Sequence, residues 1–448
     1  MKKFIETLKN IWRIEDLRNR LITTIGFVLI YRFGSYVVIP GVDANALTAL
    51  KSQTSGGIMA LLDMFSGGAF QNASIFALGI MPYISASIVI QLLTIAVPRF
   101  QKLSREGESG RTKMNQYTRY LTVLILVLQG PSYMANLKVQ IAQAGSSLPG
   151  GFLFIATSTI ILMAGSMFVM WLGERITDKG IGNGISFIIM IGIISRLPGS
   201  LIQEFSSRLA DSGGGGLVMF LLEIVILIVV IGFSILLVQG TRKIPVQYAK
   251  RIVGNKQYGG VRQYIPLKVN AAGVMPIIFA QAIMFIPLAI AGYSNSEASQ
   301  TFWSHFTRYE SFWYNFVFAI LIIAFTYFYT AITVNPTQMA EDMKRNNGFI
   351  PGIKPGKRTA EYLDLIMSRI TLPGSFFLAL IAILPAFASI LGINQQFAQF
   401  FGGTSLLILV GVILDTLQQV ESHLLMRHYD GLLKSGRIKG RTGSASAY

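Results

Sequence analysis

The chain has no cysteine among its 448 residues, only three histidines, and a charged fraction of 13%. Without cysteine there are no disulfides, no thiolate metal sites and no thiol nucleophile. His305, His423 and His428 all lie outside apolar stretches, which leaves a zinc centre or a histidine base little to work with. Soluble domains carry roughly 25% charge. About half of that is too little to wet the surface of three soluble domains of ~150 residues each. No G-x-x-x-x-G-K-[ST] loop is present, so any energy for the protein's work has to come from a partner or from a proton gradient. Acidic residues are the scarcer sign, 21 against 38 basic, which leaves a formal charge of +17.

Apolar residues are abundant, at 52% of the chain with a mean hydropathy of +0.54. A bilayer core of ~30 Å requires roughly 20 apolar residues per helix, because every backbone polar group must be paired within the segment. Ten stretches meet this: Leu21–Ile39, Ser74–Ala96, Tyr120–Ala135, Gly151–Leu172, Ile185–Ile202, Leu217–Val238, Ala271–Ala291, Trp313–Val334, Ile366–Ile390 and Thr404–Leu417. An all-α integral membrane protein is expected.

Sorting the charges by connection gives the orientation. Of the 38 basic residues, 32 fall on one set of alternate connections and the two termini; five (Lys51, Lys138, Arg196, Arg208, Arg308) fall on the other set, and Arg32 sits inside the first span. The positive-inside rule puts both termini in the cytoplasm. No cleavable signal is expected, since the first apolar run is too long for one. In residues 1–20, Phe4, Leu8, Ile11 and Trp12 recur at helical spacing among basic residues, the pattern of an interfacial amphipathic helix.

The second and seventh spans share a motif. Residues 77–86 read A-L-G-I-M-P-Y-I-S-A and residues 271–280 read A-A-G-V-M-P-I-I-F-A, at a constant offset. These are the second members of two sets of five, and an odd number inverts the topology of the second set. Gly/Pro-interrupted helices at matching positions of inverted halves point to a pathway between them; alternatively Pro82 and Pro276 only kink packed helices. The run D-S-G-G-G-G at 211–216 reads as a linker between the halves. The organisation expected is a cytoplasmic helix (1–20), an N-terminal half (21–210), a C-terminal half (211–425) with basic loops at 239–270 and 335–361, and a cytoplasmic tail (426–448).

Seven motifs in sequence carry a resemblance. M-F-S-G-G-A at 64–69 runs into S-I-F-A-L-G-I-M-P-Y-I-S-A-S at 74–87. After it come G-E-S-G-R at 107–111 with Q-Y-T-R-Y at 116–120, M-W-L-G-E at 170–174, G-I-G-N-G-I-S at 180–186, P-L-K-V-N at 266–270 and F-G-G-T-S-L-L-I at 401–408. In this order they resemble the bacterial SecY family, the channel subunit of the Sec protein translocase. The resemblance implies ten helices in two inverted five-helix halves around an hourglass pore, in the bacterial plasma membrane. It also implies unfolded secretory chains as substrate, and lateral release of signal sequences and membrane segments into the lipid bilayer. Small SecE-type and SecG-type subunits would be partners, and a SecA-type ATPase or a ribosome would be the driver. No cofactor, metal or catalytic residue is implied.

It also assigns residues. A re-entrant plug would span about 58–72, with Leu61, Leu62, Met64, Phe65, Ser66, Gly67 and Gly68; an amphipathic helix on the bilayer surface is the alternative. A constriction would comprise Ile80, Ile84, Ile185, Ile189, Ile278 and Ile408. The 80/84 and 185/189 pairs share a helix face, although such residues are also ordinary packing. The lateral gate between the second and seventh helices would involve Pro82, Ser85, Ser87, Gln129, Pro276 and Gln281. Docking of ribosomal RNA or an acidic motor surface would fall to Arg242, Lys243, Lys250, Arg251, Lys256, Lys344, Arg345, Lys354, Lys357 and Arg358. In G-I-K-P-G at 352–356, Lys354 stands where the family usually has arginine. Arg32, Glu223 and Asp415 are expected as buried ionisable groups in structural pairs.

A small-solute transporter shares inverted repeats, but it would want a midplane cluster of ion-coordinating residues, and none stands in the spans. An intramembrane enzyme would want a Ser/His or paired-Asp constellation.

Overall fold

The structure is a computed structural model. It describes residues 12, 14–42, 63, 66–143, 151–210, 216–248, 251–253, 256–258, 262–281, 283–284 and 311–434. Most of the expected amphipathic helix at 1–20, the plug residues Leu61, Leu62, Met64 and Phe65, Lys250, the 211–215 linker and the end of the tail lie outside these.

The membrane part is built of helices α1 (Glu15–Gly34), α2 (Met81–Ala96), α3 (Pro98–Arg105), α4 (Glu108–Gln143), α5 (Phe152–Lys179), α6 (Gly184–Ala210) and α7 (Gly216–Gln239). They are followed by α8 (Phe312–Thr333), α9 (Pro336–Arg345), α10 (Lys357–Ile390), α11 (Gln395–Ala398) and α12 (Gly403–Lys434). Among the described residues seven helices are long and apolar enough to cross a bilayer: α4, α5, α6, α7, α8, α10 and α12. The α2–α3 pair is an eighth if counted as one broken span. It breaks because Val97 precedes Pro98 and takes extended dihedrals (φ −114°, ψ 117°). The remaining two expected spans correspond to α1 and to a helix that begins at residue 275. This is a multi-pass helical membrane protein.

Three expected spans are cut short where hydropathy expects helix. α1 stops at Gly34 rather than Ile39, and the chain beyond it pairs instead: Val38 bridges Ser74, Ile39 N–H donates to the Ala73 carbonyl (2.9 Å), and Ile75 N–H donates to the Val37 carbonyl (2.9 Å). Ser74–Ile80 is therefore bridge and turn, and α2 starts only at Met81. Residues 271–274 are likewise turns. Other helices run past the apolar segment: α10 begins at Lys357 and α12 continues to Lys434.

The first large basic loop is not irregular. β1 (Thr241–Tyr248) pairs antiparallel with β4 (Arg262–Lys268), from Thr241↔Lys268 to Gln247↔Arg262, and with the short β5 (Gly348–Phe349) at Gln247 and Tyr248. β2 (Arg251–Val253) and β3 (Lys256–Tyr258) form a second antiparallel pair. Pro245 is tolerated because β5 pairs only beyond it. Ile244 and Val246 share one face of β1, and with Leu267 they pack on Met343 of α9, Ile350, and Leu363 and Met367 of α10.

The described residues fall into two compact units. One draws on Met1–Leu50, Asp63–Gly192 and Val412–Tyr448, the other on Ile193–Gly411. In the first, α4 packs on α2 and α5, and α5 on α1; in the second, α8 and α7 pack on α10.

Candidate functional site

The glycine-rich segment between α1 and α2 is buried within the first unit. Asp63, Ser66, Gly67, Ala69, Phe70, Gln71, Ala73 and Ser74 are all buried. The backbone turns through two left-handed glycines, Gly67 (φ +64°) and Gly68 (φ +91°), a conformation that side chains resist. Local bonds tighten the turn. Ser66 Oγ accepts from Phe70 N–H (3.0 Å) and donates to the Asp63 carbonyl (3.1 Å), and Asp63 Oδ1 accepts from Gln71 N–H (2.8 Å). Backbone away from water must find partners in protein, and here three side chains reach in from other helices. Tyr31 Oη donates to the Ser66 carbonyl (3.1 Å), Arg32 Nη1 to the Gly67 carbonyl (2.8 Å), and Tyr133 Oη to the Phe70 carbonyl (3.1 Å). A Cβ at Gly67 would lie 2.8 Å from the Gly192 Cα of α6. Ser66, Gly67 and Gly68, assigned from sequence to a plug, thus sit in a seat made by α1, α4 and α6.

The shared motif proves to be a helix start. Gly79 (φ +53°) and Gly273 (φ +63°) both take the left-handed conformation two residues before the helix. The helices then begin at Met81 and residue 275, with Pro82 and Pro276 in the first turn. Proline there gives up an N–H that has no helical partner anyway. The two prolines therefore start their helices and do not kink them, which replaces the kink alternative. Ile84 and Ile278 occupy the same place in the two copies, both half-buried, and Ala86 and Ala280 are both fully buried.

The other ring candidates also stand near helix starts. Ile80 caps α2 and is buried. Ile185 and Ile189 lie in the first turns of α6, where Asn183 Oδ1 accepts from Ile185 N–H (3.1 Å) and Ser186 N–H (3.3 Å). Ile408 is buried in the second turn of α12. Four of the six belong to the first unit, Ile278 and Ile408 to the second. Of the gate candidates, Ser85 and Ser87 are half-buried on α2 and Gln129 is exposed on α4. Gln281 lines a cavity of about 20 Å³ with Tyr314, Gln399, Thr404 and Ser405, room for one water.

Arg242, Lys243, Lys344, Arg345, Lys354, Lys357 and Arg358 are all exposed, while Arg251 and Lys256 lie on β2 and β3. The sheet and helix ends hold this surface. The Thr359 hydroxyl donates to the Lys354 carbonyl (3.0 Å), and Ile350 anchors the loop in the core beneath. Sequence reasoning missed this sheet; the alternation of Ile244/Val246 and Ile265/Leu267 was the signal.

Of the three ionisable groups expected inside, Arg32 pairs as described and also donates to Tyr36 Oη (3.2 Å). Glu223 pairs with Arg208 (2.6 Å), which also holds Glu204 (2.9 Å). Asp415 is a correction: it is exposed on α12, one turn from Gln419, whose amide approaches it at 3.4 Å. No group of three His, Asp or Glu side chains suited to a metal occurs among the described residues.

These features together define a multi-pass helical membrane protein with a buried, glycine-rich turn segment seated among its helices. The SecY family model matches residues 74–417. The chain is 45% identical to the protein translocase subunit SecY of Streptomyces griseus over 436 residues, covering 94% of this chain and 98% of that one. With the Mycobacterium tuberculosis SecY it shares 42% over 456 residues, 97% of this chain and all of the other. The fold is similar to solved structures of a protein-conducting channel (TM-score 0.56, 16% identity, covering 90% of this chain and 92% of that one) and of canine Sec61 in its ribosome complex (TM-score 0.53, 15%, 90% and 92%). The chain belongs to the SecY family.

Proposed function

We infer that the chain is the protein-conducting subunit of a bacterial Sec translocase. It passes unfolded secretory polypeptides through the plasma membrane and releases membrane segments sideways. Family membership along nearly the whole chain supports the reading, and the buried Ser66–Phe70 seat is the single structural observation that carries it. In this reading residues 58–72 are the plug and the six isoleucines are the ring. The twin helix starts at Gly79–Pro82 and Gly273–Pro276, with Ser85, Ser87, Gln129 and Gln281, flank the gate. A ring of aliphatic side chains suits a pore that must accept any side chain, since it offers no polar group to trap one and dewets when empty. The chain itself is a passive conduit; the push comes from a ribosome or a SecA-type ATPase on its cytoplasmic face. Both termini are cytoplasmic, and SecE-type and SecG-type subunits complete the complex.

The test is cross-linking in reconstituted complexes. A translocation intermediate carrying a photoreactive residue is expected to cross-link to Ile84, Ile278 and Ile408. Cross-links confined to lipid-facing residues such as Leu128 would sink the reading. Exposed Lys354 supplies a second test. Lys354→Glu is expected to lower ATPase-driven translocation several-fold, and Lys354→Arg, which restores a bidentate fork, to leave it at or above the starting level. Unchanged secretion by the Glu variant would remove Lys354 from the docking surface.

A further inference from the structure

Arg32 has no place in the pore ring, the gate or the docking surface, yet a cation in a span is costly and calls for a reason. Among the described residues its guanidinium makes polar contacts with Gly67 and Tyr36. Nη1 donates to the Gly67 carbonyl (2.8 Å) at the left-handed turn, and Nη2 donates to Tyr36 Oη (3.2 Å), with the Tyr36 ring 5.4 Å from the guanidinium carbon. The Tyr31 and Tyr133 hydroxyls hold the carbonyls on either side of Gly67, those of Ser66 and Phe70. We propose that Arg32, with Tyr31 and Tyr133, is a clasp on the root of the plug that sets how readily the plug leaves its seat.

The clasp's chemistry suits a releasable contact. All three donors bind main-chain carbonyls, so these bonds hold the turn itself. The turn passes through two consecutive left-handed glycines, residues that can take up other backbone conformations at little steric cost. When the Gly67 carbonyl departs, Arg32 keeps its bond and its ring contact with Tyr36, so opening does not strand a bare cation in the membrane. Tyr31 is itself fixed, stacked on Phe76 with ring centroids 6.2 Å apart. Arg32 is thus a positioning residue for gating.

The inference rests on the reading of 58–72 as the plug, and the test separates the two. The chain lacks cysteine, so a single Met64→Cys reports plug exposure without background. In proteoliposomes with the small subunits bound, Arg32→Leu is expected to raise both the resting iodide leak and the labelling of that introduced thiol by an impermeant maleimide. Each should rise about tenfold, the scale of one lost charge-assisted hydrogen bond. Translocation of a normal substrate should persist, and Arg32→Lys, which keeps a charged donor, should stay close to the parent. Tyr31→Phe with Tyr133→Phe removes two hydroxyls without touching the charge and is expected to move both readouts the same way; it carries the test if Arg32→Leu does not fold. Deleting residues 58–65 should raise the leak, and adding Arg32→Leu to the deletion should raise it no further. A tight deletion variant would overturn the plug reading. A leaky deletion beside tight, normally labelled Arg32 and tyrosine variants would overturn the clasp alone.

Discussion

Replacing Ile84 and Ile408 together by glycine is expected to raise the resting ion conductance of reconstituted channels about tenfold or more, since a wider, wetter constriction loses its dewetting barrier. Two effects compete with the leak. Ile408 is buried, at 3% exposure, so emptying it costs about 2–5 kcal/mol in lost packing, and glycine in each helix costs about 1 kcal/mol more. The paired Leu variants separate these effects: similar volume keeps the seal, so Ile84→Leu with Ile408→Leu should remain tight. A double-glycine variant that folds, translocates and leaks no more than its parent would mean these residues are packing only. Ile84 alone is the milder change, because it is half-buried near the start of α2, and its glycine variant should leak less than the pair.

The spans were legible because a bilayer imposes a length and a polarity that few sequences meet by accident. α7 and α8 begin and end within a residue of the expected positions, whereas α5 and α6 begin there but run on through charged residues to Lys179 and Ala210. Hydropathy failed where an apolar segment is not helical. Ser74–Ile80 and residues 271–274 are apolar enough to be counted into the expected spans, yet they are turns, and the telling signs were Gly79 and Gly273 ahead of a Met-Pro pair. It failed in the other direction at α10 and α12, where the helix outlasts the membrane and charged residues simply continue it. The sheet of β1 and β4 was hidden under its charge: the basic residues drew attention from the period-two alternation of Ile244 and Val246. Of the site, residue identities were readable and their partners were not. Arg32 was visible as an anomaly, but that it meets the Gly67 carbonyl depends on two glycines turning the chain back, which spacing does not reveal. Glu223 showed the same limit. Its partner Arg208 is near in sequence and forms an i, i+4 pair with Glu204, while the 392–394 segment joined them only in space.

That cluster is where the largest loss of stability is expected. Arg208 Nε meets Glu204 (2.9 Å), and its Nη2 meets both Glu223 (2.6 Å) and the Gly392 carbonyl (2.9 Å). Glu204 accepts a further bond at its other oxygen from Asn394 N–H (2.9 Å). One guanidinium therefore ties α6, α7 and the turn after α10, and it does so with side chains exposed by 15%, 1% and 3% for Arg208, Glu204 and Glu223. Such a cluster need not be more stable than an apolar one of the same shape, because desolvation offsets the attraction. Removing only the cation is different, since it leaves two buried carboxylates facing each other. Arg208→Ala is expected to cost about 3–5 kcal/mol, read as a fall in the thermal midpoint and in yield of the detergent-solubilised complex. Arg208→Lys keeps the charge but not a fork that serves three acceptors, so it should fall between. Arg208→Ala with Glu223→Leu removes the surplus charge along with the cation and should recover part of the loss; a double variant no better than Arg208→Ala would mean the damage is lost packing. A thermal midpoint unmoved by Arg208→Ala would show that the three side chains are wetter than their burial implies, and that something other than this ion cluster fastens the end of α6 to the start of α7.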